Sequence, residues 1–190
     1  MNQPNAHSLP HRRTFLDKSL LYLFSYDVEA DMDRQEIGLV PGGARVNILA
    51  RPGLSRVYHV MRERTVPGLG FTAISGTLTW GGDWAFWRED DVEFSEVRMT
   101  IHTDDGGTIH GFYPVISYLG PGGFRRVVGE KGKIGTEKEP VDWPVITSPR
   151  FETTSPAYFW MMDLQCLGFG LVRIVKSEIR RITYDVYALS

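Results

Sequence analysis

A single cysteine, Cys166, stands among the 190 residues. With no second thiol there is no intramolecular disulfide, so the fold must rest on its core, and a reducing, cytoplasmic location is expected. Cys166 lies in the apolar run Leu164 to Leu171, where a small buried hydrophobe is expected rather than a nucleophile. Long hydrophobic runs are missing too. No stretch of about 18 apolar residues occurs, which excludes a membrane-spanning helix. Nor does one sign of charge prevail: 21 basic against 23 acidic side chains give a formal net charge of -2, so no global field draws the chain to nucleic acid or an anionic membrane. The expected partner is a small-molecule substrate or ligand, with a homodimer as the second candidate. There is no Gly-x-Ser-x-Gly elbow for a hydrolase and no glycine-rich loop opening a helix for a nucleotide. His102 and His110 lack a third ligand at zinc spacing, and His7 and His11 fall in a polar arm. The expectation is therefore chemistry without a metal or cofactor.

What the chain has is punctuation. Twenty glycines and eleven prolines cut it into short segments rich in Val, Ile, Thr, Tyr, Phe and Trp, which is a strand and turn pattern. Strands are expected over Leu20–Ala30, Arg45–Ala50, Phe71–Trp80, Trp84–Arg88, Val92–Thr103, Thr108–Tyr118, Phe159–Val175 and Ile179–Leu189. In the first, alternation assigns Tyr22, Phe24, Tyr26 and Val28 to one face. Gly81-Gly82 reads as a turn, and Asp104-Asp105-Gly106-Gly107 as a hairpin turn, because Asp and Gly supply the backbone angles that a tight reversal needs. Helix is confined to two candidates, Leu54–Thr65, which also fits a charged edge strand, and one turn over Ser155–Met162. The pattern predicts an all-β protein, a single antiparallel barrel of the lipocalin or calycin-like kind, since closure removes exposed strand edges. Residues 1–14 read as a flexible arm, and 15–190 as one barrel domain with a long loop near 120–149.

Polar side chains crowd the stretch Gly81 to Tyr113. Asp83 stands between two glycines and the aromatic group Trp84, Phe86 and Trp87, a setting that desolvates a carboxyl and raises its pKa toward the range of a general acid or base. Along Glu96 to Thr103 a period of two separates Val97, Met99 and Ile101 from Arg98, Thr100 and His102. Which side faces the interior stays open. Arg98, with His102 and His110 beside it across the hairpin, would neutralise a carboxylate or enolate oxygen and pass a proton; alternatively, Arg98 is a structural ion pair with Asp83, Asp104 or Glu152. Tyr113 and Tyr158 are candidates for stabilising developing charge. Trp84, Arg88, His110, Glu152 and Trp160 are candidates for lining a substrate cavity.

Together, Ile37-Gly38, Gly42-Gly43-Ala44-Arg45, Gly76, Gly81-Gly82-Asp83-Trp84, Arg88, Val97-Arg98, Thr103-Asp104-Asp105-Gly106, Tyr113, Phe151-Glu152-Thr153, Tyr158, Trp160, Gly168-Phe169-Gly170 and Tyr184-Asp185-Val186-Tyr187 resemble the DUF3237 family of uncharacterised small β-barrel proteins. The resemblance runs from about Phe24 to Tyr187 and implies a small antiparallel barrel with no established general activity. Two departures are visible: Asp90-Asp91 where the family reads Asp-Gly, and Trp160-Met161-Met162 where it reads Trp-Leu-Asn. If the family's Asn points into the cavity, Met162 makes this one more apolar and suits a greasier ligand.

The expectation is a cofactor-independent enzyme, a cyclase, isomerase or dehydratase acting on an apolar oxygenated metabolite. Asp83 would move the proton, and Arg98, with Tyr113 or Tyr158, would hold negative charge. Two rivals stay open, a carrier or sensor barrel without catalysis and a structural dimer module.

Overall fold

The computed structural model describes residues 20–29, 32–50, 55–58, 74–128, 141–175 and 178–189. In chain order these form β1 (Leu20–Glu29), β2 (Met32–Val40), β3 (Gly43–Ala50), β4 (Ser55–Tyr58), β5 (Ser75–Arg88), β6 (Val92–Thr103), β7 (Thr108–Tyr118), α1 (Gly123–Val128), β8 (Val141–Thr147), β9 (Arg150–Thr153), a 3-10 turn (Pro156–Met161), β10 (Cys166–Val175) and β11 (Glu178–Leu189). The protein is all-β and antiparallel, with almost no helix. None of the described helices is long and apolar enough to cross a membrane. The expected arm, residues 1–14, lies outside the described residues, as does most of Leu54–Thr65; the described part of that segment is strand β4, not helix.

One sheet carries every described strand, in the order β2-β3-β5-β4-β1-β11-β10-β8-β7-β6, with β9 on β7. β5 also pairs with β6, which brings the far end of this order back onto its own third strand and rolls the sheet into a barrel-like form. Closure does not remove every edge as the sequence suggested. Among the described residues β2 pairs only with β3 and stands outside the ring.

Two local readings are corrected. Gly81-Gly82 is no turn: β5 runs through it, with a register shift between Leu78 and Trp80. Glycine serves close packing here, because a Cβ on Gly82 would sit 2.9 Å from the Leu49 side chain and 3.2 Å from the Trp84 ring. In β1 a second bulge lies between Tyr22 and Phe24, so Leu21, Leu23 and Phe24 are all buried and the simple alternation fails.

The hairpin around Asp104 to Gly107 forms as expected, with Gly106 at φ 91°. The region 120–149 is more ordered than a plain loop, since its described parts carry α1 and β8. The Gly120-Pro121-Gly122-Gly123 turn does lead into a helix, but a six-residue one whose exposed amides are already taken: Asp91 accepts hydrogen bonds from Gly122 N at 2.7 Å and Phe124 N at 2.9 Å. These two amides hold the Asp91 carboxyl below its usual range. Toward the carboxyl end, the expected strand Phe159–Val175 starts only at Cys166, because the 3-10 turn takes its first residues.

Inside, the apolar residues form two clusters. The larger includes Phe24, Leu78, Met99, Ile101, Ile109, Phe151, Met161 and Val186. The smaller gathers Ala44, Val46, Ile48, Ala85 and Trp87 with Leu119, Val127 and Val128.

Candidate functional site

The two clusters leave a polar seam between them on β5 and β6. Their register sets Asp83 opposite Val97, Ala85 opposite Ser95 and Trp87 opposite Glu93. Because side chains alternate along a strand, Asp83, Ala85 and Trp87 share the inner face with Glu93, Ser95 and Val97. Ser95 is buried and donates a 2.9 Å hydrogen bond to Glu93 Oε1. The same hydroxyl is a hydrogen-bonding neighbour of Asp83. A hydroxyl has one proton to give. The Ser95 proton goes to Glu93, so Ser95 does not satisfy both carboxyls at once.

The electrostatics agree with that count. Burial lifts the Asp83 carboxyl well above its ordinary range, the Glu93 charge pushes it further up, and only the Ser95 contact pulls it back. Glu93 is raised by burial and partly restored by the Ser95 hydrogen bond and the neighbouring Trp87 indole. Two carboxyls this close titrate as a pair, not singly. Asp83 Oδ1 is buried with no hydrogen-bond partner.

Beside Asp83 lies a cavity of about 50 Å³, walled by Ile48, Leu78, Gly81, Val97, Tyr113 and Tyr184 among others. One water takes roughly 10 to 15 Å³ on this measure, so the space suits a few waters or the reacting end of a small molecule. Tyr113 and Tyr184 are both buried and meet edge to face, their ring centroids 6.1 Å apart. The Tyr184 phenol is raised well above its usual value, first by burial and then by Tyr113, Asp83 and Glu93. It keeps its proton at neutral pH.

Of the residues singled out from the sequence, Asp83 and Tyr113 reach this cavity. The others do not bring side chains to it; on β6 and β7 the inner face is set by Met99, Ile101, Ile109, Tyr113 and Val115, all buried, which turns Arg98, His102 and His110 outward. Arg98 borders the cavity as a residue, but it is exposed, and its carbonyl is what packs near Gly81. His102 is exposed. His110 stacks on Phe112 on the outer face, with centroids 6.4 Å apart. Glu152 is exposed on β9 opposite His110. Arg88 pairs with Asp90 and lies 5.4 Å over the Phe94 ring. Trp84 tilts against Trp80 at 6.4 Å, and Trp160 packs on the edge of the larger core. Met162 is exposed, so it cannot make the cavity more apolar. Tyr158 is buried but faces the hairpin, donating a 2.9 Å hydrogen bond to Asp105 Oδ2. Arg98 pairs with none of Asp83, Asp104 or Glu152 across the sheet, because it and Asp83 lie on opposite faces.

The residues missed are Glu93, Ser95 and Tyr184 as members of one site. A signal existed for two of them: the period that puts Met99 and Ile101 inward also puts Glu93 and Ser95 inward. Tyr184 is brought in by β11, from the far end of the chain, and only the tertiary fold discloses that.

The sequence profile of the family described as protein of unknown function (DUF3237) matches residues 22–189. No curated protein matches the sequence. Among solved structures, a conserved protein of unknown function from Rhodopseudomonas palustris is 23% identical, with a TM-score of 0.66 over 91% of this chain and 98% of that one. A beta-barrel like protein from Acinetobacter baumannii is 19% identical, with a TM-score of 0.65 over 97% of this chain and 100% of that one. A protein with unknown function from Clostridium acetobutylicum is 21% identical, with a TM-score of 0.68 over 92% and 100%. Likeness at these identities shows the fold alone. With nearly its whole length matched by the family profile, the chain belongs to the DUF3237 family.

Proposed function

We propose that the interior seam is catalytic: a cofactor-independent site in which Asp83, its carboxyl raised well above the ordinary range by burial, moves a proton on an oxygenated small molecule. The observation that carries this reading is Asp83 Oδ1, buried at the cavity wall with no hydrogen-bond partner. Buried polar atoms are nearly always paired, so a carboxyl oxygen left unpaired at a cavity wall offers a place for a ligand's hydroxyl or carbonyl oxygen. Cyclisation, isomerisation and dehydration each require a proton delivered at one atom and removed at another. Of the two carboxyls only Asp83 lines the cavity, so it would give its proton at one atom and take one back from another, with Glu93 beside it tuning its charge. Tyr184, which lines the same cavity, would donate a phenolic hydrogen bond to developing negative charge in place of Arg98. Ile48, Leu78, Val97 and Met99 suit an apolar body attached to the reacting end.

Those apolar walls also favour a second reading, a carrier that holds the same class of molecule unchanged. The two separate in one experiment. A panel of small hydroxylated and carbonyl compounds is screened by thermal shift, and turnover of each binder is followed with the wild type and with Asp83→Asn. Catalysis by Asp83 predicts turnover lowered by about 100-fold or more in a folded variant that still binds. Binding without turnover in both proteins identifies a carrier, and turnover equal in both removes Asp83 from the chemistry.

A further inference from the structure

The outer face of β6, β7, β8 and β10 is apolar where a solvated sheet face would be polar. Phe94 stands opposite Ile116, Ile116 opposite Ile146 and Ile146 opposite Phe169, so four strands contribute one unbroken row. Tyr118 flanks Ile116 on β7, and Pro144 and Leu171, opposite each other, flank Ile146 and Phe169. These side chains are open to solvent: Phe94 is 39% exposed, Ile116 53%, Tyr118 60%, Ile146 55%, Phe169 40% and Leu171 48%. No slip of register explains them, because the intervening Val115, Ser117, Val145 and Thr147 are buried on the inner face. Strands apolar on both faces belong to sheets covered on both sides.

The ends of the row are held in place. The Arg88 guanidinium lies 5.4 Å over the Phe94 ring, and Phe169 meets Tyr187 edge to face at 5.9 Å. A preordered surface loses less freedom when it docks. Its apolar side chains expose on the order of 500 Å², near the top of what a monomer usually shows in one patch. With the polar residues around it, the face approaches the roughly 800 Å² per partner of a standard interface.

We propose that this face is the interface of a homodimer, covered by the same face of a second copy of the chain. The charges at its corners are self-complementary. Exposed Glu96 lies two residues beyond Phe94 on β6, while exposed Arg173 lies two residues beyond Leu171 on β10, at the diagonally opposite corner, next to Asp142 at 3.6 Å. A two-fold axis lying in the interface plane between these corners sets Glu96 of each copy against Arg173 of the other, the reciprocal arrangement an isologous contact demands. This inference stands apart from the interior site and does not depend on Asp83.

Sedimentation equilibrium of the full chain from about 1 to 100 μM tests it. The wild type is expected to be a dimer. Ile146→Glu is expected to be a folded monomer whose melting temperature falls only by what dimerisation contributes, since a position exposed in the single chain adds little to its folding. Ile116→Glu provides the same test should Ile146→Glu fail to fold. Glu96→Lys and Arg173→Glu are each expected to weaken the dimer about tenfold, and the double swap to restore it. A wild type that is monomeric at about 100 μM, a dimer that survives both glutamate substitutions, or a double swap no tighter than the single ones overturns the proposal.

Discussion

Asp83 and Glu93 reach the same interior seam from neighbouring strands, with the Ser95 hydroxyl donating to Glu93 and lying beside Asp83. That geometry couples folding to pH. Asp83 is raised above its ordinary value of 3.8, so the folded state binds a proton that the unfolded chain has released. Its contribution to stability is fully present below about pH 3.8 and is lost as pH rises through the raised folded value. Glu93 acts in the same direction. Asp91 and Asp105 act oppositely, being lowered by their hydrogen bonds, and their contribution disappears as pH falls. The expected melting temperature of the wild type therefore declines as pH rises above the range where Asp91 and Asp105 titrate. Asp83→Asn, which cannot ionise, should flatten that decline when both proteins are followed by calorimetry from acid to alkaline pH. An unaltered slope in the variant would show that Asp83 is ionised in the folded protein.

Tyr158 clamps the β6–β7 hairpin to the 3-10 turn. Its hydroxyl donates to Asp105 Oδ2 at 2.9 Å, while its ring lies where a Cβ on Gly107 would come within 3.1 Å. Tyr158→Phe keeps the ring and removes one hydrogen bond. The expected cost is about 1 kcal/mol, or a fall of roughly 2 to 4 °C in melting temperature for a chain of this size. Turnover per folded molecule should stay at the wild-type level, because the hydroxyl faces the hairpin. Loss of turnover with an unchanged melting temperature would return Tyr158 to the chemistry.

How far the sequence discloses this arrangement depends on what decides each feature. The hairpin at Asp104 to Gly107 is legible because its backbone angles demand particular residues. The all-β class is legible because many short β-rich segments between turns all point to it. Gly81-Gly82 misleads, since the pair marks close packing against Leu49 and Trp84 inside a bulged strand, and a glycine pair looks the same in a turn. Asp83 is legible from its aromatic neighbours alone. Glu93 and Ser95 require the sidedness of β6, and Tyr184 requires the pairing of β11 with β1 and β10. Arg98 and His102 attract attention as chemistry-bearing residues, but the buried Met99 and Ile101 between and beside them turn both outward.

The sharpest contrast lies between the two faces of that strand. Arg98 and His102 are exposed on the outer side, so Arg98→Ala and His102→Ala should each change stability by no more than about 0.5 kcal/mol. Both should leave binding and turnover of any compound found for the cavity unchanged. Tyr184→Phe, across the barrel, removes a phenol whose proton is held by burial and by the charges of Asp83 and Glu93. It keeps the edge-to-face packing with Tyr113. If Tyr184 donates to developing charge, turnover should fall by roughly 10² to 10³ with little change in binding, the scale seen when one such donor is removed. Kinetics of the three variants against the same compound decide the matter. A large loss in Arg98→Ala with none in Tyr184→Phe would place the reacting group on the outer face of the barrel and exclude the interior seam as the site of chemistry.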